Sequence, residues 1–156
     1  MSSNLHVISC SVGMRWGDMD AYGHINNVEI VRMLEEARVH AFGPPGGTGG
    51  PGDNPAVPLF SDVPPGTQSL VVEHRVRYVA ELTYRNIPAD VDVWISAVKG
   101  ASLTLSYVIH DPVTGQACVR AETTLAFVDG ATGTLQRLTP TQREMAAAHT
   151  GASVFA

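Results

Sequence analysis

One stretch of this chain repeats its apolar residues at the period of a helix, and nearly everything after it alternates at the period of a strand. Ile30, Met33, Leu34, Ala37 and Ala41 recur three and four residues apart, with Val28, Val31, Val39 and Phe42 widening the stripe. Asn26 with Glu29 three positions on is a variant of the capping box, so the helix is expected to begin there. Gly43-Pro44-Pro45 supplies a C-cap residue and a breaker. Arg32 with Glu36, and Glu36 with His40, read as i,i+4 pairs on the solvent side.

The flanking sequence carries strand signals. Leu5 to Arg15 alternates loosely and is rich in Val, Ile and Ser. Ser69 to Ala80 sets Val72, His74, Val76 and Tyr78 against Val71, Glu73, Arg75 and Arg77. Ala89–Lys99, Ser102–His110 and Gln116–Val128 follow, separated by turns at Lys99-Gly100-Ala101 and Asp111–Gly115, and Thr134–Leu138 extends the pairing. A short helix, 141–148, opens with Pro140 at its first position. The expected architecture is α+β: one long helix against a five- or six-stranded antiparallel meander. A single helix leaves sheet edges and apolar surface open, which predicts self-association edge to edge, with the helices on one side.

Between helix and sheet lies 43–66, in which 14 of 24 residues are Gly or Pro. It forms no regular element and is long for a connector, so a mobile loop is expected, ordered in part near Val57–Phe60. The first 42 residues are too short to hold a core alone. One domain over 1–156 is therefore expected.

Charge narrows the partners. The net charge is −5 and no block of Lys or Arg is present, so the footprint of a nucleic-acid binder is missing. No run of about 18 apolar residues suggests a membrane span. The first 15 residues lack a basic segment followed by an apolar run, so no leader is expected and the cytoplasm is the expected location. Cys10 and Cys118 sit in apolar, strand-like stretches and read as buried free thiols.

Residues with chemical reach concentrate between the first strand and the helix: Arg15-Trp16-Gly17-Asp18-Met19-Asp20-Ala21-Tyr22-Gly23-His24-Ile25-Asn26-Asn27. Two carboxylates stand two residues apart, Gly23 permits close backbone approach, and Asn26-Asn27 opens a helix whose free N–H groups can hold a negative oxygen. A carboxylate beside such a helix end suits acyl transfer. The bland alternative is that Asp20 and Asn26 merely cap turns. Asp18, Asp20 and His24 as a metal set is disfavoured, because no further ligand lies nearby in the sequence.

The run from Arg15 to Arg38, RWGDMDAYGHINNVEIVRMLEEAR, resembles the signature of the 4-hydroxybenzoyl-CoA thioesterase-like branch of the hotdog superfamily. Glu81-Leu82-Thr83-Tyr84-Arg85, followed by Pro88, looks like the strand-to-strand segment of the same families. The loop 43–66 departs from their usual short connection. The resemblance implies a helix wrapped by an antiparallel sheet, homodimers or homotetramers, and acyl-CoA thioester hydrolysis at the dimer interface, with coenzyme A as part of the substrate and no separate cofactor. Asp20 matches the catalytic carboxylate, as nucleophile or general base. Gly23, His24 and Asn27 match the groups around the thioester oxygen, and plant acyl-carrier-protein thioesterases carry a similar run, although they have Asn where this chain has Tyr22. The coenzyme's phosphates need cations, and Arg85 and Lys99 at strand ends or turns are candidates, as is Arg77, with Asn26 and Tyr84 as further substrate-binding candidates; Ser102, after Gly100, falls where related sequences often place a small polar residue near the pantetheine. Asp18 reads as structural, pairing with Arg15 or capping the loop; Glu35, Glu36 and Arg38 read as solvated or ion-paired; Trp16 and Tyr22 read as packing residues. A dehydratase and a non-catalytic acyl-CoA-binding hotdog module are the competing readings.

Overall fold

The structure is a computed structural model describing residues 6–46 and 48–156; Leu5 of the expected first strand and Gly47 of the Gly/Pro-rich segment lie outside them. In chain order the elements are β1 (Ile8–Val12), a 3-10 turn (Trp16–Asp18), α1 (Asn27–Phe42), β2 (Thr67–Tyr78), β3 (Ala89–Val98), β4 (Ser102–His110), β5 (Ala117–Asp129) and α2 (Pro140–Ala147). The five strands make one antiparallel sheet in the order β1-β3-β4-β5-β2, and α1 packs across one face of it.

The helix forms where its apolar stripe requires. Ile30, Met33, Leu34, Ala37, Ala41 and Phe42 are all buried, in one core with Val93, Ile95, Leu105 and Leu125 of the sheet. Asn26 caps α1 by accepting from the Val28 amide, and Gly43 closes it at a φ of 91°. The Gly/Pro-rich segment turns back along the helix end. The Val57 amide donates to the Ala41 carbonyl (2.8 Å) and the Phe60 amide to the Phe42 carbonyl (2.9 Å). Leu59 and Phe60 are thereby buried, Phe60 between the rings of Phe42 and Phe127.

The structure corrects the sequence reading in four places. Only β3-β4-β5 is a meander; β2 pairs with β5 at the opposite edge from β1. The connection 79–88 allows this because its middle leaves the sheet to pair with 23–25 near α1. Strand alternation in β2 breaks at a bulge at Val72, which leaves Val71, His74, Val76 and Tyr78 opposite Leu125, Thr123, Ala121 and Val119. Arg32 bonds Glu29 and Asp18 rather than Glu36. The 134–138 stretch contributes one isolated bridge, Leu135 to Val128.

The two edges differ. β1 is five residues long and alternates buried with exposed. β2 has twelve residues and displays Leu70, Val71, Val72 and Tyr78 to solvent, with Val79 just beyond. On the outer face of the sheet the C-terminal residues lie flat. Trp94 donates to the Ala152 carbonyl (2.7 Å), and the Phe155 ring sits under Arg75 and Arg77.

Candidate active site

The loop between β1 and α1 is built around a buried carboxylate, Asp18, 2% exposed. Its Oδ2 accepts from the Arg15 amide (2.8 Å) and from Nη2 of Arg32 (2.9 Å), and its Oδ1 from Nε of Arg15 (3.0 Å). Burial alone would raise this carboxyl. The Arg15 amide and guanidinium, with Arg32 behind them, outweigh burial and hold it below the usual carboxylate range. Asp18 is thus the structural member of the Asp-x-Asp pair, and Arg32 is a partner that the sequence alone does not reveal.

With Asp18 fixed, the chain reverses at residues 20–24. Oδ1 of Asp20 accepts from the amides of Tyr22 (2.8 Å) and His24 (3.2 Å), and the Asp20 amide donates to the His24 carbonyl (2.7 Å). The turn closes through Gly23, whose φ is +81°; a Cβ there would meet open space, so glycine is needed for the dihedral and not for room. One oxygen of Asp20 is therefore spent on the turn, and its exposed position leaves Oδ2 for other work. Segment 23–25 is stitched to 82–84, the Ile25 amide donating to the Leu82 carbonyl and the Tyr84 amide to the Gly23 carbonyl.

This pairing walls a cavity of about 460 Å³. Asp20, His24, Asn26 and Asn27 line one side of it, Tyr78, Val79, Ala80 and Glu81 the other, with Ile30, Leu82 and Val119 contributing apolar surface. Nε2 of His24 stands 3.0 Å from Oε2 of Glu81. Glu81 is a site residue that sequence reasoning places only in a connecting segment; an acidic residue at the end of a strand carries no signal of its own. The Tyr78 hydroxyl donates to the Asn27 carbonyl (3.2 Å), tying β2 to the start of α1.

The backbone amides narrow the expectation of an oxyanion site at 23–27. Those of Gly23, His24, Ile25 and Asn26 already donate to Asp20, Leu82 and Asp18. Within this stretch only the Asn27 amide, first in α1, has no acceptor among the described residues. A helix start with a free N–H and the positive end of its dipole is able to hold a negative oxygen.

The remaining sequence candidates fall elsewhere within one chain. Arg85 is bound to buried Asp111 (3.0 Å), which also caps the 111–114 turn; there it is a structural partner rather than a free cation. The Tyr84 hydroxyl donates to Asn86 (2.9 Å). Lys99 and Ser102 line a separate cavity of about 180 Å³ near the middle of β2. Trp16 and Tyr22, expected to be packing residues, are 74% and 83% exposed. No group of three metal-ligating side chains is assembled among the described residues. Cys10 and Cys118 are free and buried; burial, with Asp92 nearby, pushes the Cys10 thiol up to about 11. No described helix is long and apolar enough to cross a membrane.

One long helix against this five-stranded antiparallel sheet is the hotdog fold, and solved structures share it. A thioesterase from Thermus thermophilus, complexed with coenzyme A and Zn, is 19% identical, with a TM-score of 0.68 over 96% of this chain and 97% of that one. A DHNA-CoA thioesterase from Staphylococcus aureus is 18% identical, with a TM-score of 0.72 over 90% and 89%. A thioesterase-superfamily protein from Jannaschia sp. CCS1 is 19% identical, with a TM-score of 0.73 over 94% of each. No curated protein matches the chain. The family model of the thioesterase-like superfamily matches residues 14–149, so the chain belongs to that superfamily and is a thioester hydrolase.

Proposed function

We propose that this protein hydrolyses acyl-CoA thioesters, with Asp20 as the catalytic carboxylate. The observation that carries this reading is the placement of Asp20 on the cavity wall, one oxygen locked into the turn and the other free, beside the start of α1. The thioester carbonyl lies with its oxygen toward the Asn27 amide. Asp20 either takes a proton from a water that attacks the carbon, or attacks the carbon itself to form an acyl anhydride that a water then hydrolyses; in both routes the C–S bond breaks, the thiolate departs without a strong general acid and the free acid is released. His24, held by Glu81, orients the substrate. The coenzyme A bound in the Thermus thermophilus thioesterase supports coenzyme A as the carrier.

The working unit is a homodimer formed by antiparallel pairing of β2 with its copy. The long exposed edge and its row of Leu70, Val71 and Val72 support this, since an unpaired apolar edge is a template for another strand. Pairing there carries the Lys99–Ser102 turn toward the partner's Asp20 cavity, because that turn lies at the opposite end of the sheet from its own.

The test is thiol release from a panel of short, long and aromatic acyl-CoAs beside the matching acyl-carrier-protein thioesters. Turnover of acyl-CoA is the expected result. Acyl-CoA binding without release of thiol would favour a binding module.

A further inference from the structure

The chain carries 10 lysines and arginines against 15 aspartates and glutamates, so an arginine without an acidic partner is unexpected. Arg15, Arg32, Arg38 and Arg85 each pair with a carboxylate. Arg75, Arg77 and Arg120 are exposed and form no ion pair among the described residues.

These three stand together. In the register of β2 with β5, Arg77 lies directly opposite Arg120, and Arg75 lies opposite Glu122 two residues away. Their neighbours Val76, Val119 and Ala121 pack into the core, so the arginines project from the other face of the sheet. Like charges directly across an antiparallel pair destabilise it, and Arg77 with Arg120 is such a pair.

The acid best placed to neutralise them is engaged elsewhere. Oε2 of Glu122 accepts from the hydroxyls of Ser96 (3.2 Å), Ser106 (3.1 Å) and Ser153. An aromatic ring takes the place beside the guanidiniums instead. Cζ of Arg75 is 4.2 Å, and Cζ of Arg77 5.0 Å, from the centroid of Phe155. The C-terminal segment fixes that ring, the Val154 amide donating to Oγ of Ser106 (3.2 Å) and the Phe155 amide to Oγ of Ser153 (3.1 Å). A ring stacked on a guanidinium covers its face and leaves its in-plane N–H groups free.

Positioned guanidiniums with free N–H groups match an oxyanion of more than one charge. A phosphate offers three acceptor oxygens and up to two charges, enough to bridge Arg77 and Arg120 and to turn their repulsion into a shared bond. A carboxylate has one charge and two oxygens. Arg77 also adjoins Tyr78, which lines the Asp20 cavity from the opposite face of β2.

We infer that Arg75, Arg77 and Arg120 form a phosphate-binding site on the outer face of the sheet, apart from the Asp20 cavity, with Phe155 holding two of the guanidiniums in place. Two sources carry this chemistry. One is the nucleotide end of an acyl-CoA whose thioester is at Asp20, which rests on the thioesterase reading above. The other is a free nucleotide or polyphosphate, which does not.

Calorimetric titration with adenosine diphosphate and with inorganic pyrophosphate tests the site by itself. Wild type should bind both, more weakly as salt rises, and the Arg77→Gln/Arg120→Gln double variant should bind at least about tenfold more weakly. Arg120→Lys keeps the charge and loses the fork; it should also weaken binding, and it replaces a double variant that does not fold. Wild type that binds neither probe, or variants that bind as well as wild type, overturns the proposal. Thiol release then separates the sources. Adenosine diphosphate that raises KM for an acyl-CoA, and not for the matching acyl-pantetheine, assigns the phosphate to the substrate's nucleotide end. Adenosine diphosphate that binds and leaves the KM for acyl-CoA unmoved assigns the site to a free phosphate ligand. If no acyl-CoA is hydrolysed, the thioesterase reading fails while the titration still decides the phosphate site.

Discussion

Nε2 of His24 faces Oε2 of Glu81 at 3.0 Å, on backbone segments that the Ile25-to-Leu82 bond already holds together. Glu81 is mostly exposed, and pairs of this kind contribute about 0–1 kcal/mol. Glu81→Gln should leave thermal stability nearly unchanged and lower kcat by less than about tenfold, while His24→Ala should lower it further by removing the group itself. Steady-state kinetics on the two variants, with melting curves alongside, checks the order.

Gly23 holds a positive φ with open space where a Cβ would go. Gly23→Ala should therefore cost about 1–2 kcal/mol through backbone strain alone. It should also loosen the turn that aims Asp20. A fall in Tm of about 3–6 °C, with a larger proportional loss of turnover, is the expected pair of readings.

Asp18 should govern acid stability. Its folded-state carboxyl is held below the ordinary value of about 3.9, so the stabilisation is complete above that value and is lost as pH falls through the lowered one. Asp18→Asn should remove about 1–3 kcal/mol at about pH 7, because the charge-assisted hydrogen bonds from Arg15 and Arg32 become neutral ones while both guanidiniums keep access to solvent, and should flatten the acid limb. His74 adds to this at milder acidity. Burial first, then the Arg38 charge, lowers its pKa, with Glu35 opposing. Its share of the stability is present above about 6.5 and declines as pH falls below that value. Urea midpoints at about pH 7.5, 5.5 and 3.5 read both windows.

The helix, the strands and the cluster from Arg15 to Asn27 are legible in the sequence because their signals are local: a period, a cap, a breaker, a short motif. The partner of each strand is not. β2 follows α1 in the chain yet joins β5, a choice set by the sheet's long-range register and by the 79–88 crossover. The sequence places Arg38 beside the apolar stripe of a helix, where a solvated or ion-paired group is the natural expectation; only the packed sheet buries it. Arg85 looks like a free cation in the sequence because its partner Asp111 lies 26 residues away. Asp20 is legible as a candidate, and its dependence on the Tyr22 and His24 amides is not.

Val72 sits at the bulge of β2, exposed on the unpaired edge. A lysine there should disfavour strand pairing between copies without touching the core. Val72→Lys should shift the particle toward monomer in light scattering and cut turnover in parallel, while the melting curve of the monomer stays cooperative.

The most direct measurement compares thiol release from an acyl-CoA by wild type and by Asp20→Asn, at matched fold and oligomeric state. The substitution keeps a side-chain oxygen that can accept from the Tyr22 and His24 amides and removes the charge. The account predicts a loss of about a hundredfold or more, the scale of a positioned acid–base group. Turnover within a few-fold of wild type would contradict it and move the catalytic role away from Asp20.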